Sequence, residues 1–134
     1  WQGISPPAAI RRLRGAIYHV HAKDCYVDPQ ILGRTGFFDP WLENNEVDRP
    51  YSFRIPGSAT SASEWKEMVI ALRESGYDGA LTIEHEDRSI GQKEGLLRSV
   101  AFLKDVILRD EPTGCPWYAA IQPYEEAFLP EEGG

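Results

Sequence analysis

The stretch AIYHVHAKD, Ala16 to Asp24, places two of the chain's three histidines one residue apart, with a lysine two positions further on. Later, ALTIEHED carries Glu84, His85, Glu86 and Asp87 in succession. Both are short runs with the β-branched and aromatic residues of strands. Side chains alternate along a strand, so His19, His21 and Lys23 share one face and Tyr18, Val20 and Ala22 the other. In the second run Thr82, Glu84 and Glu86 alternate against Leu81, Ile83 and His85. Each strand therefore gathers polar groups toward its C-terminal end. A neutral imidazole and a carboxylate brought together there suit a divalent ion, Zn, Mn, Co or Mg, with carboxylate-rich sites favouring the harder ions. The same alternation also describes a sheet with one face on a core and the other in water.

The elements that must position these groups can be read from caps and periodicity. Ser5 followed by Pro6 and Pro7 predicts a helix N-terminus, with the helix running through AAIRRLR and stopping near Gly15. A strand over AIYHVHA follows. Residues 25–60 hold no sustained period and are expected to form one long loop, ordered by Tyr26, Phe37, Phe38, Trp41, Tyr51 and Phe53 packed over something. Ser61 or Ser63 then caps a helix, EWKEMVIALRES, with Trp65, Met68 and Leu72 on one face and Gly76 as its stop. YDGALTIEHED is the second strand. QKEGLLRSVAFLKDVILRD is a third helix with Leu96, Val100, Leu103 and Ile107 as its expected buried stripe. This organisation divides the chain at residue 110, with 111–134 a Pro- and Glu-rich tail, extended or partly disordered. Alternating helices and strands predict an α/β fold with a parallel sheet. Two strands alone would both be edges, so the pattern calls for more strands than these 134 residues supply.

Composition narrows the partners. Hydrophobic residues make up 42% and charged residues 26%, as in a soluble globular protein. The formal charge of −7 disfavours nucleic acid and anionic membrane surfaces, which recruit basic patches. No apolar run approaches the ~20 residues that span a bilayer. The opening WQGISPPAAIRRLRG has no apolar segment of a secretory leader. Cys25 and Cys115 are too few for a disulfide framework, and a reducing, cytoplasmic setting is the default expectation.

The stretches IYHVHAKD, FRIPG, ALRESGYDGALTIEHED and EGLLRSVAFLKDVIL together resemble the C-terminal part of the sugar phosphate isomerase/epimerase family, proteins with a xylose isomerase-like TIM barrel. The similarity covers roughly residues 1–108, and the His-x-Lys-Asp and Glu-His-Glu-Asp stretches are its most specific marks. The resemblance implies that the two strands are barrel strands seven and eight. It implies a divalent metal held by a Glu, an Asp, a His and a second Glu, with His21 and Glu84 as the last two and the others on earlier strands. A WQGI-like segment in the family follows the strand-six motif directly. The chain starts at Trp1, so it is expected to be the last quarter of a barrel of about 250 residues; the alternative is a small protein with an unusual start. The implied reaction is proton transfer beside a carbonyl through an enediolate, on a carbohydrate substrate, with Glu84 as ligand and general base. A homo-oligomer of the parent is left open.

The neighbouring residues carry further expectations. Arg54 matches a position near substrate in some relatives, where a guanidinium fork would grip hydroxyls, carboxylates or phosphate, against a surface ion pair as the other reading. Lys23 would hold a substrate oxygen, steady a carboxylate, or form a loop salt bridge. His19, deeper on the same face, would support the site or fill the barrel, with direct contact to the substrate as the other reading. Glu86 and Asp87 would orient His85 or cap the following helix, and His85 would pack against helices. After FRIPG the chain reads PGSATSASEW, where relatives often have a Gly-x-Gly-like turn and an acidic residue before the Trp. No phosphate-binding loop of the GxxxxGK type occurs. Three rivals share these residues. His19 and His21 could be the His-x-His pair of a metal-dependent hydrolase. A DNA-repair endonuclease uses a related barrel, although the acidic charge opposes it. A barrel remnant could serve as a non-catalytic binding module. Alone, the chain is expected to be inactive and to fold poorly.

Overall fold

The computed structural model describes residues 2–37 and 48–110. Helix α1, Pro6–Arg12, starts after Ser5 with proline in its first turn, and leads to strand β1, Val20–Ala22. Strand β2, Asp24–Val27, helix α2, Pro29–Thr35, and strand β3, Tyr51–Arg54, follow. Helix α3, Ala62–Glu74, strand β4, Leu81–Ile83, and helix α4, Gln92–Val106, complete the order. The result is a mixed α/β structure with two two-stranded sheets among the described residues.

The two polar strands are neighbours and run parallel, with Val20 opposite Leu81, His21 opposite Thr82 and Ala22 opposite Ile83. One further bond, from the Glu84 amide to the Ala22 carbonyl at 3.2 Å, carries the pairing past the end of β4. The apolar face of this pair supplies Ala22, Leu81 and Ile83 to a core completed by Trp65, Met68 and Val69 of α3 and Phe102, Leu103 and Val106 of α4. The Trp65 and Phe102 rings meet edge to face at 5.9 Å between centroids. α1 lies against α3, tied by Arg11 to Glu74 at 2.7 Å. The helices thus cover one face of the strand pair and leave His21 and Thr82 on the other.

Three expectations change. The region 25–60 is not one loop: β2 and β3 pair antiparallel, Asp24 opposite Arg54 and Cys25 opposite Phe53, and α2 stands between them. The Asp28 carboxylate caps α2 through the amides of Gln30 and Ile31, Pro29 sits in its first turn, and Gly36 closes it at φ 69°. Asp-Pro followed by Gly is a legible helix signal even in a short segment. Phe38 and Trp41, expected in the aromatic cover, lie outside the described residues, as do Trp1, Cys115 and the tail 111–134. The strands are shorter than expected, because a ladder exists only where β1 and β4 overlap, and Tyr18 is 87% exposed. Finally, α4 buries Gly95, Ser99, Leu103 and Val106, while Leu96 is 49% exposed and Ile107 has left the helix. The stripe is turned because the His85 ring occupies the place a Cβ at position 95 would need, so the helix approaches the strand end through its smallest residue.

Ser61 is the cap of α3: its hydroxyl accepts from the Glu64 amide while the Glu64 carboxylate accepts from the Ser61 amide. Just before it, Gly57 has φ +83° and lies against Phe102, whose Cε2 would be 2.5 Å from an added Cβ. Gly57→Ala therefore meets both left-handed backbone strain, about 1–2 kcal/mol, and an overpacked ring, about 1–3 kcal/mol. A denaturant melt should show a loss of about 2 kcal/mol or more; an unchanged midpoint would exclude this packing.

Candidate functional site

His21 and Glu84 meet at the open end of the β1–β4 pair. His21 Nδ1 and Glu84 Oε2 are 3.2 Å apart, with the side chains 55% and 35% exposed. The parallel register brings them together: His21 faces Thr82, and the chain continues past Ile83 in extended form, so the next residue on that face is Glu84. Lys23, one strand period beyond His21, completes the cluster. Its ammonium donates to Glu84 Oε1 at 3.1 Å and to Glu86 Oε2 at 3.0 Å, and lies 4.1 Å from the centroid of the Phe53 ring. Burial alone would lower the Lys23 pKa, but the bonds to Glu86 and Glu84 outweigh it and the net shift is upward. The Lys23 hydrogen bond is also the chief reason that Glu84 titrates below its ordinary value, and His21 adds to it. Glu84 is therefore ionised at neutral pH, with one oxygen on Lys23 and the other on His21.

His19 sits one period earlier on the same face. Its Nε2 is 3.0 Å from the Thr82 hydroxyl, and its ring meets that of His21 edge to face at 5.1 Å. Arg54 goes elsewhere: its guanidinium donates to Asp87 at 3.3 Å. Alternation along β3 puts Phe53, not Arg54, on the side of Lys23. Lys23 and Phe53 also line a cleft of about 750 Å³ that runs past Cys25 and Trp65 to Pro6, a volume within the range of small-molecule sites.

Glu86 and Asp87 neither orient His85 nor cap α4, whose N-cap is Gly91 without a side-chain bond. Glu86 belongs to Lys23. Asp87, 4% exposed, accepts from the Ile55 amide at 3.0 Å, from the Ser89 amide and hydroxyl, and from Arg54. His85 does pack on a helix, through Gly95. Asp24 is the residue whose importance the strand pattern concealed. It is 3% exposed and accepts from the amides of Cys25, Gly57, Ala59 and Thr60, the Thr60 hydroxyl, and Trp65 Nε1 at 3.5 Å. Its signal was the run GSATS after Arg54, small residues outside any strand or helix, whose amides need another acceptor where they are shielded from water.

Burial pushes the Asp24 and Asp87 carboxyls up, yet their hydrogen bonds, led by Thr60 for Asp24 and Ser89 for Asp87, more than offset it, and both titrate below 3.8. A folded pKa below the unfolded one means that the unfolded chain binds more protons in acid. The stability these groups contribute is present above pH 3.8 and is lost as pH falls through their folded values. Melting temperature should accordingly drop steeply below about pH 4, and less steeply in Asp87→Asn. Equal slopes in the two proteins would show that Asp87 contributes nothing.

A cation between His21 and Glu84 can be tested against their geometry. Ligand atoms about 2.1 Å from one ion at adjacent corners of an octahedron are about 3.0 Å apart. The observed 3.2 Å between Nδ1 and Oε2 is close to that edge. A neutral imidazole and an ionised carboxylate are suitable donors, so the two residues fit as part of a divalent site. Among the described residues no group of three or more His, Cys, Asp or Glu side chains is placed to hold a metal ion. Nor is any described helix long and apolar enough to cross a membrane.

Fold and site define a mixed α/β protein with a His–Glu–Lys–Glu cluster at the open end of a parallel strand pair. The chain is 29% identical over 107 residues to "Uncharacterized protein YfiH" of Bacillus subtilis (strain 168); the match covers 80% of this chain and 34% of that protein. The chain thus spans about a third of the length of this relative. No protein-family model matches the chain.

Proposed function

We propose that these residues form the C-terminal part of a xylose isomerase-like (β/α)8 barrel, and that the parent protein is a divalent-metal-dependent sugar isomerase or epimerase. The observation that carries this reading is the His21–Glu84 pair, 3.2 Å apart at the C-terminal ends of adjacent parallel strands. Barrel enzymes place their chemistry at that end. Three further features support it. Helices cover one face of β1–β4, as the outer ring of a barrel does. The outer edges of that pair have no strand beside them among the described residues, where further staves would dock. A relative about three times the matched length leaves room for the remaining strands.

His21 and Glu84 would hold the ion, together with donors from earlier strands. When bound, the ion would stabilise negative charge developing on the substrate's oxygens. Glu84 is ionised and can accept a proton from the carbon beside the carbonyl and return it. Lys23 keeps the carboxylate turned toward His21 and presents an ammonium to the same space, where it can donate to a substrate hydroxyl. Phe53 covers Lys23 and limits its contact with water. The carbohydrate stays small and hydroxylated in this reading, and the parent works in the cytoplasm. The test is Mn²⁺ binding and aldose–ketose interconversion or epimerisation on a panel of sugars, using the full-length protein, with His21→Ala and Glu84→Gln as variants.

A further inference from the structure

The chain ends its two parallel strands with the same device. Lys23 and Glu86 face the site and pair with each other at 3.0 Å. The residues directly after them, Asp24 and Asp87, turn away and are almost fully buried. Both carboxylates close on one segment, 54–60. Asp87 takes the Arg54 guanidinium and the Ile55 amide, and Asp24 takes the amides of Gly57, Ala59 and Thr60. Between them they hold four backbone amides of residues 55–60, which form no strand or helix. This stretch is the exit of β3, the strand that carries Phe53.

We infer that Asp24 and Asp87 are positioning residues, a double carboxylate clamp that fixes Phe53 over the Lys23 ammonium and so holds Lys23 between Glu84 and Glu86. The β2–β3 ladder sets the register of Phe53, opposite Cys25. The ladder ends at Arg54, and nothing in a two-stranded ribbon prevents its end from lifting. The carboxylates supply that restraint from the strands that bear the site. An ammonium held by two carboxylates and a ring cannot wander, and Glu84 is left with one oxygen directed at His21. Calling this a device of the reactive centre rests on the function proposed above; the clamp itself rests on the hydrogen bonds.

The test follows the chain of cause in the full-length protein without metal or substrate. Amide exchange should be about tenfold faster at Gly57, Ala59 and Thr60 in Asp24→Asn, and at Ile55 in Asp87→Asn, the equivalent of one lost charge-assisted bond. In both variants Lys23 should be acylated several-fold faster, read by mass spectrometry, while the exposed Lys66, Lys93 and Lys104 react at native rates. Phe53→Leu should raise Lys23 acylation alike but leave the four amides protected, since it removes the cover and keeps the clamp. If Asp24→Asn does not fold, Asp87→Asn and Phe53→Leu carry the same comparison. A rise spread over all four lysines, or native Lys23 reactivity in Phe53→Leu, would overturn the inference. A protein that passes this test yet binds no Mn²⁺ would end the isomerase reading and keep the clamp; the converse would remove the clamp alone.

Discussion

Under the proposed isomerase function, Glu84→Gln in the full-length protein should lower turnover of the sugar by at least about 10²-fold, the lower range for loss of a general base, and weaken Mn²⁺ binding as well. The amide keeps the shape of the side chain but neither the charge that attracts a cation nor the basicity that accepts a proton. His21→Ala should weaken Mn²⁺ by about 100-fold or more, beyond the range seen when only an outer partner of a ligand is lost. The fold should tolerate both changes, because the two side chains are 35% and 55% exposed and contribute nothing to the core. Calorimetric titration with Mn²⁺ and steady-state kinetics on the sugar panel provide the measurements. Native affinity and turnover in both variants would refute the metal site. The pair is informative because the residues are separated along the chain and meet only through the parallel register of β1 and β4.

The second large effect concerns stability. Asp24→Ala should cost about 3 kcal/mol or more, because several donors lose their acceptor at once and each unsatisfied group costs about 1–3 kcal/mol where water cannot replace it. Gly57, Ala59 and Thr60 are partly wet, which limits the loss there. Trp65 Nε1 and the Thr60 hydroxyl point into the space the carboxylate fills. Urea unfolding of the native protein and the variant would measure the difference. A loss under about 1 kcal/mol would mean that water takes over these bonds. Exposed pairs such as Arg11–Glu74 and Arg98–Glu94 should show nothing comparable when truncated, because solvent screens them.

Sequence reasoning reached the site further than it reached the segment around it. Strand alternation, with its period of two, gathered His19, His21 and Lys23 on one face and Thr82, Glu84 and Glu86 on another, and the family resemblance singled out His21 and Glu84 among them. His85 against a helix followed from the same alternation. The stripe on α4 was misplaced because helical periodicity marks where apolar residues recur, not where a neighbour comes closest. Leu96 has the right spacing, but Gly95 is the position that admits the His85 ring. The region 25–60 reads as a loop in sequence because β2 and β3 are short: Tyr51–Arg54 has only four residues, too few periods for a pattern to emerge. Of the two expectations for Arg54, a place near substrate or an ion pair, the structure shows the pair with Asp87, and the direction of its side chain depends on which face of β3 turns inward.

By itself the amino-acid sequence determined the helix starts at Ser5 and Ser61–Glu64, the alternation of polar and apolar residues on two strands, and the presence of an imidazole and carboxylates at their ends. These are properties of residues close along the chain, where backbone geometry converts spacing directly into direction. Tertiary structure decided that Lys23 bridges Glu84 and Glu86, that Phe53 rather than Arg54 stands over it, and that Asp24 and Asp87 bind the segment 54–60. Each joins groups distant in sequence and depends on the register of one ladder against another. A shift of one residue would reverse every side chain involved, and no local pattern encodes that choice.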